Sequence, residues 1–169
     1  MGGTLPDYID PMRLAEAHAR LVGQLPLSSM PRLCTSLYSD EGRVVAELQF
    51  GIDEQGVHYI DGRITTQLQA LCQRCMESLP MAVETDIHLG VVSSEAEANR
   101  LIGSYEPLVI HAEPMRLAQL LEDELILSMS MTPKHPAGTC KAFSDEPEAP
   151  PQRHANPFAV LAKLRTKDS

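Results

Sequence analysis

Val57–Leu71 (VHYIDGRITTQLQAL), Cys72-Gln73-Arg74-Cys75 and Met81–Val92 (MAVETDIHLGVV) form the stretch that decides the fold. The first run alternates, placing Ile64, Thr66, Leu68 and Ala70 on one face. The last alternates through Met81, Val83, Thr85, Ile87 and Leu89. A period of two is the mark of a half-buried strand. The cysteine motif sits between two strand-like runs, not inside a helix.

Working outward, Leu33–Asp40 and Val44–Ile52 read as two further strands, with Asp40-Glu41-Gly42-Arg43 as their turn. Asp53-Glu54-Gln55-Gly56 makes a second turn before Val57. An antiparallel sheet of about four or five strands results. Cys34 falls in a strand run and reads as a small core residue.

Helices flank this sheet. Asp10-Pro11 is a helix start, because Asp caps free N–H groups and Pro is tolerated at the first helical position. Met12, Ala15, Ala19 and Val22 continue it, and Gly23 is its expected stop. Ser94–Ile102 reads as a helix with Ser94 and Glu97 as a capping box. Tyr105–His111 is a short extended piece. Met115–Met129 is the strongest helix, with Leu117, Ala118, Leu121, Leu125 and Met129 inward and Gln119, Glu122 and Asp123 outward. Glu122-Asp123-Glu124 reads as a solvated face, since no second catalytic group accompanies it.

The fold class is therefore α+β: an antiparallel sheet with an N-terminal helix and a long helix packed on it. Residues 1–140 form one domain. Residues 141–155 are an acidic, Pro-rich linker (Asp145-Glu146-Pro147-Glu148-Ala149-Pro150-Pro151), too poor in apolar side chains to order itself. Residues 156–169 restart as a short helix with a Phe158, Leu161, Leu164 stripe and a basic tail of Lys163, Arg165 and Lys167. No internal repeat is present.

The chain has 169 residues with 43% hydrophobic and only 4% aromatic content, so aliphatic side chains must fill the core. Its net charge of −9 argues against coating nucleic acid by bulk electrostatics, which needs Lys and Arg to release counterions. The N-terminus lacks a basic segment followed by an apolar run, and no apolar stretch approaches a membrane span. The expectation is a cytoplasmic protein without membrane contact, whose thiols stay reduced.

Four cysteines in that setting suggest metal before disulfide. After Cys72 and Cys75, 59 residues pass before His135, and four more separate it from Cys140. Two close-spaced ligand pairs far apart in sequence suit a closed, structural zinc site, and three thiolates with one imidazole suit zinc chemically. Arg74, Lys134 and Lys141 lie beside ligands and would offset the surplus negative charge. Two other readings stay open. Cys72 and Cys75 can be a redox dithiol, although such motifs usually open a helix in a βαβ unit. The four residues can also be unliganded. Catalytic zinc is disfavoured, because four protein ligands leave no open position. His18, His58, His88, His111 and His154 show no ligand spacing.

Three blocks together resemble the YceD family of large ribosomal RNA subunit accumulation proteins. They are Ile9-Asp10-Pro11; Leu71-Cys72-Gln73-Arg74-Cys75, followed by Glu122-Asp123-Glu124-Leu125-Ile126-Leu127, His135 and Cys140; and Asn156-Pro157-Phe158-Ala159-Val160-Leu161. The resemblance implies a bacterial factor needed for accumulation of 23S ribosomal RNA, with no known enzymatic activity. It implies a metal-type set at Cys72, Cys75, His135 and Cys140. The implied partners are large-subunit precursor RNA or ribosomal proteins, with no small-molecule substrate. Arg74, Lys134, Lys141, Lys163, Arg165 and Lys167 are the candidate contacts. An RNA-processing enzyme is the remaining alternative, but the sequence has no P-loop, dinucleotide glycine pattern, H-E-x-x-H or nucleophile elbow.

Overall fold

The structure, a computed structural model, describes residues 3–101, 103, 105–111 and 114–140. The linker 141–155, the tail 156–169 and Ile102 lie outside the described residues. In chain order the elements are β1 (Gly3–Thr4), β2 (Tyr8–Ile9), α1 (Pro11–Glu16), β3 (Arg20–Pro26), a 3-10 turn (Leu27–Ser29) and α2 (Pro31–Cys34). Then come β4 (Arg43–Ile52), β5 (His58–Leu71), β6 (Ser78–Val92), α3 (Glu95–Ala98), β7 (Glu106–Val109), β8 (Met115–Arg116) and α4 (Leu117–Ser128).

Six strands form one sheet in the order β1-β3-β4-β5-β6-β7. Its centre is antiparallel, as the alternation requires, while β1 on β3 and β7 on β6 add parallel edges. The α+β expectation holds. The β5–β6 hairpin is the longest feature, with its ladder running from His58 opposite Val91 to Leu71 opposite Ser78.

One face of the sheet carries Val44, Ala46, Leu48 and Phe50 from β4, Ile60, Ile64 and Leu68 from β5, and Val83, Ile87 and Leu89 from β6, all buried. Ala15 of α1, Leu33 of α2, and Leu117, Leu121 and Leu125 of α4 complete that core. The opposite face is open and polar: Arg20 pairs with Glu47, and Arg63 with Glu84 and Asp86 at 2.8 Å each. A small β2–β8 pairing, with the Leu117 N–H donating to the Asp7 carbonyl at 3.0 Å, anchors the start of α4 to the N-terminal segment.

Four local expectations need correction. The N-terminal helix starts as expected, with the Asp10 carboxylate accepting from the Arg13 N–H at 3.1 Å and Pro11 in the first turn. It ends at Glu16, not Gly23. His18 takes a left-handed φ of 47°, and the His18 and Ala19 N–H groups turn back to the Ala15 and Leu14 carbonyls. This is a Schellman closure with His18 in the position usually given to glycine. Ala19 and Val22 keep helical spacing by coincidence, because the next residues extend as β3. Gly23 serves β3 instead: a Cβ there would lie 2.4 Å from the Gly3 carbonyl oxygen.

Leu33–Asp40 is not a strand. Pro31 opens α2, Leu33 plugs into the core, and only Leu37 makes an isolated bridge to Ala70. The strand hairpin through Asp40–Arg43 is therefore replaced by β3 pairing with β4. Cys34 ends α2, half-buried against the core, its Sγ 3.3 Å from the Leu27 carbonyl. The helix after Ser94 is short. Its Glu97 carboxylate accepts from the Ser93 N–H and hydroxyl at 2.9 Å each, while the Ser94 hydroxyl accepts from the Glu97 N–H at 3.3 Å.

The fourth correction is Glu122. It is 4% exposed, not solvated. Its Oε1 accepts from the backbone N–H groups of Arg32 at 2.6 Å and Leu33 at 3.0 Å, and Oε2 accepts from Arg32 Nε and Nη2 at 2.9 Å each. The first N–H groups of a helix lack partners within it. Met30, at the N-cap of α2, supplies no side-chain acceptor. A carboxylate from α4 caps α2 in its place.

Candidate metal centre

The hairpin geometry brings the first two cysteines together. Strand pairing stops at Leu71 and Ser78, so Cys72–Glu77 form the turn between β5 and β6. The Cys72 N–H donates to the Glu77 carbonyl at 3.0 Å, and the Met76 N–H to the Cys72 carbonyl at 2.9 Å. Met76 adopts a left-handed φ of 58° to close this turn.

The second pair arrives from the other side of the fold. α4 ends at Ser128, and Met129 returns to extended backbone. The Gln73 N–H then donates to the Pro133 carbonyl at 2.9 Å, joining the two loops next to the cysteines. A turn through Pro136–Thr139, with Gly138 at a φ of 83°, delivers Cys140.

Cys72, Cys75, His135 and Cys140 converge so that one donor atom from each lies within 4.8 Å of the others. Cys72 is buried and the other two cysteines are half-buried. Cys72 Sγ stands 3.9 Å from Cys140 Sγ; His135 Nδ1 stands 3.4 Å from Cys75 Sγ and 3.8 Å from Cys140 Sγ. A tetrahedral zinc ion, with bonds of about 2.3 Å to sulfur and about 2.05 Å to nitrogen, requires sulfur–sulfur edges of about 3.8 Å and sulfur–nitrogen edges of about 3.6 Å. The Cys72–Cys140, Cys75–His135 and Cys140–His135 edges match these lengths, and three sulfurs with one imidazole suit zinc in chemistry.

The surrounding groups orient these donors. His135 Nε2 lies 3.2 Å from the Ser78 carbonyl. A carbonyl only accepts, so Nε2 carries the proton and Nδ1 keeps its lone pair toward the cysteines. Burial pushes the Cys72 thiol up, yet the backbone N–H groups of Cys75, His135 and Arg74 outweigh it and hold Cys72 down to about 5. Cys75 moves up, through burial and the neighbouring Cys72 and Cys140 sulfurs. Sulfurs this close repel one another as thiolates, and a divalent cation among them removes that penalty. The arrangement could hold a metal ion closed off by four protein donors.

The expected cations divide. Arg74 Nη1 lies 4.0 Å from Cys140 Sγ and donates toward it. Lys134 is exposed beside His135. Lys141, Lys163, Arg165 and Lys167 lie outside the described residues. The Ser78 and Pro133 carbonyls that position the site were not foreseen. They act through the backbone, and no side-chain pattern marks them.

Residues 60–165 match the profile of the family described as "Large ribosomal RNA subunit accumulation protein YceD". A Haemophilus influenzae protein named "Large ribosomal RNA subunit accumulation protein YceD" is 29% identical over 170 residues, covering 96% of this chain and 97% of that protein. No solved structure matches. All four converging Cys and His residues fall inside the matched stretch. Among the described residues, no helix is long and apolar enough to cross a membrane.

Proposed function

Because this chain belongs to the YceD family of large ribosomal RNA subunit accumulation proteins, we propose that it is a non-catalytic cytoplasmic factor that supports accumulation of large-subunit ribosomal RNA by binding assembly intermediates. The observation that carries this reading is the family match over residues 60–165, which spans the Cys/His cluster. Zinc, held by Cys72, Cys75, His135 and Cys140, serves as a clamp. It fixes the β5–β6 turn to the segment after α4, and its binding free energy offsets the entropy of ordering that segment. A closed four-donor shell does structural work and leaves no position for an attacking water.

The net charge of −9 makes bulk RNA attraction weak, so contact falls to a small basic surface. Arg74 and Lys134 lie at the clamp, with Lys141, Lys163, Arg165 and Lys167 further along the chain. Precursor RNA of the large subunit and its ribosomal proteins are the partners this reading assigns. The test is the ratio of large- to small-subunit ribosomal RNA in cells depleted of the protein and complemented with wild type or Cys72→Ser. A fall in large-subunit RNA that only wild type restores supports the reading. An unchanged ratio on depletion refutes it.

A further inference from the structure

Beside the Cys/His cluster lies an apolar groove of about 450 Å³. Of its ten described lining residues six are apolar, Ile126, Met129 and Met131 among them, and four are uncharged polar side chains, Gln73 and Ser130 among them; none of the described lining residues is charged. Its surroundings are apolar too. Leu127 is 71% exposed, Met131 97% and Met76 60%, so large hydrophobic side chains collect at this end of the molecule. Exposed apolar side chains beside a groove are what a docking site for an apolar segment requires. An uncharged groove selects an apolar ligand over a phosphate backbone.

We infer that the occupant is the chain's own residues 156–164, seated through Phe158, Leu161 and Leu164. Three observations favour this segment. The described chain ends at Cys140, whose sulfur is 3.9 Å from that of Cys72, and both neighbours of Cys72, Leu71 and Gln73, line the groove. From there, the fifteen residues 141–155 lead to the segment. A chain of fifteen residues reaches about 50 Å when fully extended, enough to place the segment on the groove, and the covalent tether raises its effective concentration there. The three apolar residues recur every third position, the spacing of a helix that presents one stripe to a hydrophobic groove. Finally, the family match ends at residue 165, so the groove's β5, α4 and post-α4 residues and the segment belong to one matched unit.

Docking also has a functional consequence, which rests on the RNA-binding reading above. It carries Lys163 and Arg165, with Lys167 behind them, to the end of the molecule where Arg74 and Lys134 already stand. An acidic protein thereby concentrates its scarce cations on one surface.

The test uses the full chain, loaded with zinc and labelled with ¹³C at the methionine methyls. Substituting Phe158→Asp with Leu161→Asp is expected to shift the Met129 and Met131 methyl signals, equally at low and high protein concentration. Met131→Glu, on the groove side, is expected to release the segment, read as a gain in mobility of the residue 156–164 amide signals. Met131 is almost fully exposed, so its substitution leaves the core intact. Methyl signals that ignore the tail substitutions would overturn the inference. So would shifts that grow with protein concentration, because a second copy would then be the occupant, or segment signals that change only on adding ribosomal particles. Docking without any effect on large-subunit RNA levels would leave this surface standing and count against the family-derived function alone.

Discussion

Glu122→Ala separates the structural account from a surface reading of the same acidic run. The substitution removes four acceptor contacts at once, two to backbone N–H groups and two to the Arg32 guanidinium. The guanidinium is half-exposed, so it re-solvates and keeps its Asp123 contact. The Leu33 N–H has no such escape, since Leu33 is 1% exposed. An orphaned buried donor costs about 1–3 kcal/mol, and loss of a helix cap about 1 kcal/mol more. The expected loss is therefore about 3 kcal/mol, a fall in Tm of roughly 6–12 °C for a domain of this size. Glu122→Gln keeps a carbonyl oxygen for both N–H groups and is expected to lose only about 1 kcal/mol. Urea denaturation followed by circular dichroism, in zinc-saturated buffer, measures both. A loss below about 1 kcal/mol for Ala, the size expected of a solvated surface residue, would refute the cap. A Gln variant as unstable as the Ala variant would show that charge, not the backbone acceptor, is what matters.

Metal removal by a chelator is expected to lower stability by about 4 kcal/mol relative to zinc a thousandfold above Kd, or about 10 °C in Tm. One zinc per chain by elemental analysis, absent in Cys72→Ser, checks the same site. His18→Gly is expected to raise stability by up to about 1 kcal/mol, because glycine accepts the left-handed φ of 47° without a Cβ clash; thermal melts read this directly. Stability should also depend on pH in two opposite ways. The Asp53 carboxyl is held low, first by the Val57 N–H and against burial, and then by the Gln55 N–H and the Tyr105 hydroxyl. Its contribution is present above the unfolded value and lost as pH falls through the folded one. The Glu124 carboxyl is pushed up by burial and by Glu106 and Asp123, so its folded form holds the proton more tightly and stability falls as pH rises past the unfolded value. Glu124→Gln should therefore be more stable than wild type at pH 7 yet nearly equal at pH 3 in melts at the two pH values.

The sequence by itself determined the features whose signal is local and repeated. β5 and β6 follow from alternation that buries one face along most of their length, and α4 follows from its 3.6-residue apolar stripe. The grouping of Cys72, Cys75, His135 and Cys140 was legible because few residue types make soft metal donors and their paired spacing is unusual; the structure brings the four together as a cluster that could hold a metal. Tertiary structure alone decided the rest. The stop of α1 depends on His18 accepting a left-handed backbone so that β3 can pair with β4. The helical form of residues 31–34 depends on a carboxylate from α4, 90 residues away, which no window around Pro31 contains. The same distance hid the fate of Glu122: on its own helix it lies among acids, and only the packing of α2 against α4 turns it from a solvated charge into a buried cap. Periodicity reports which face of an element is apolar. It does not report which distant donor will need an acceptor, because that need arises only when two elements meet.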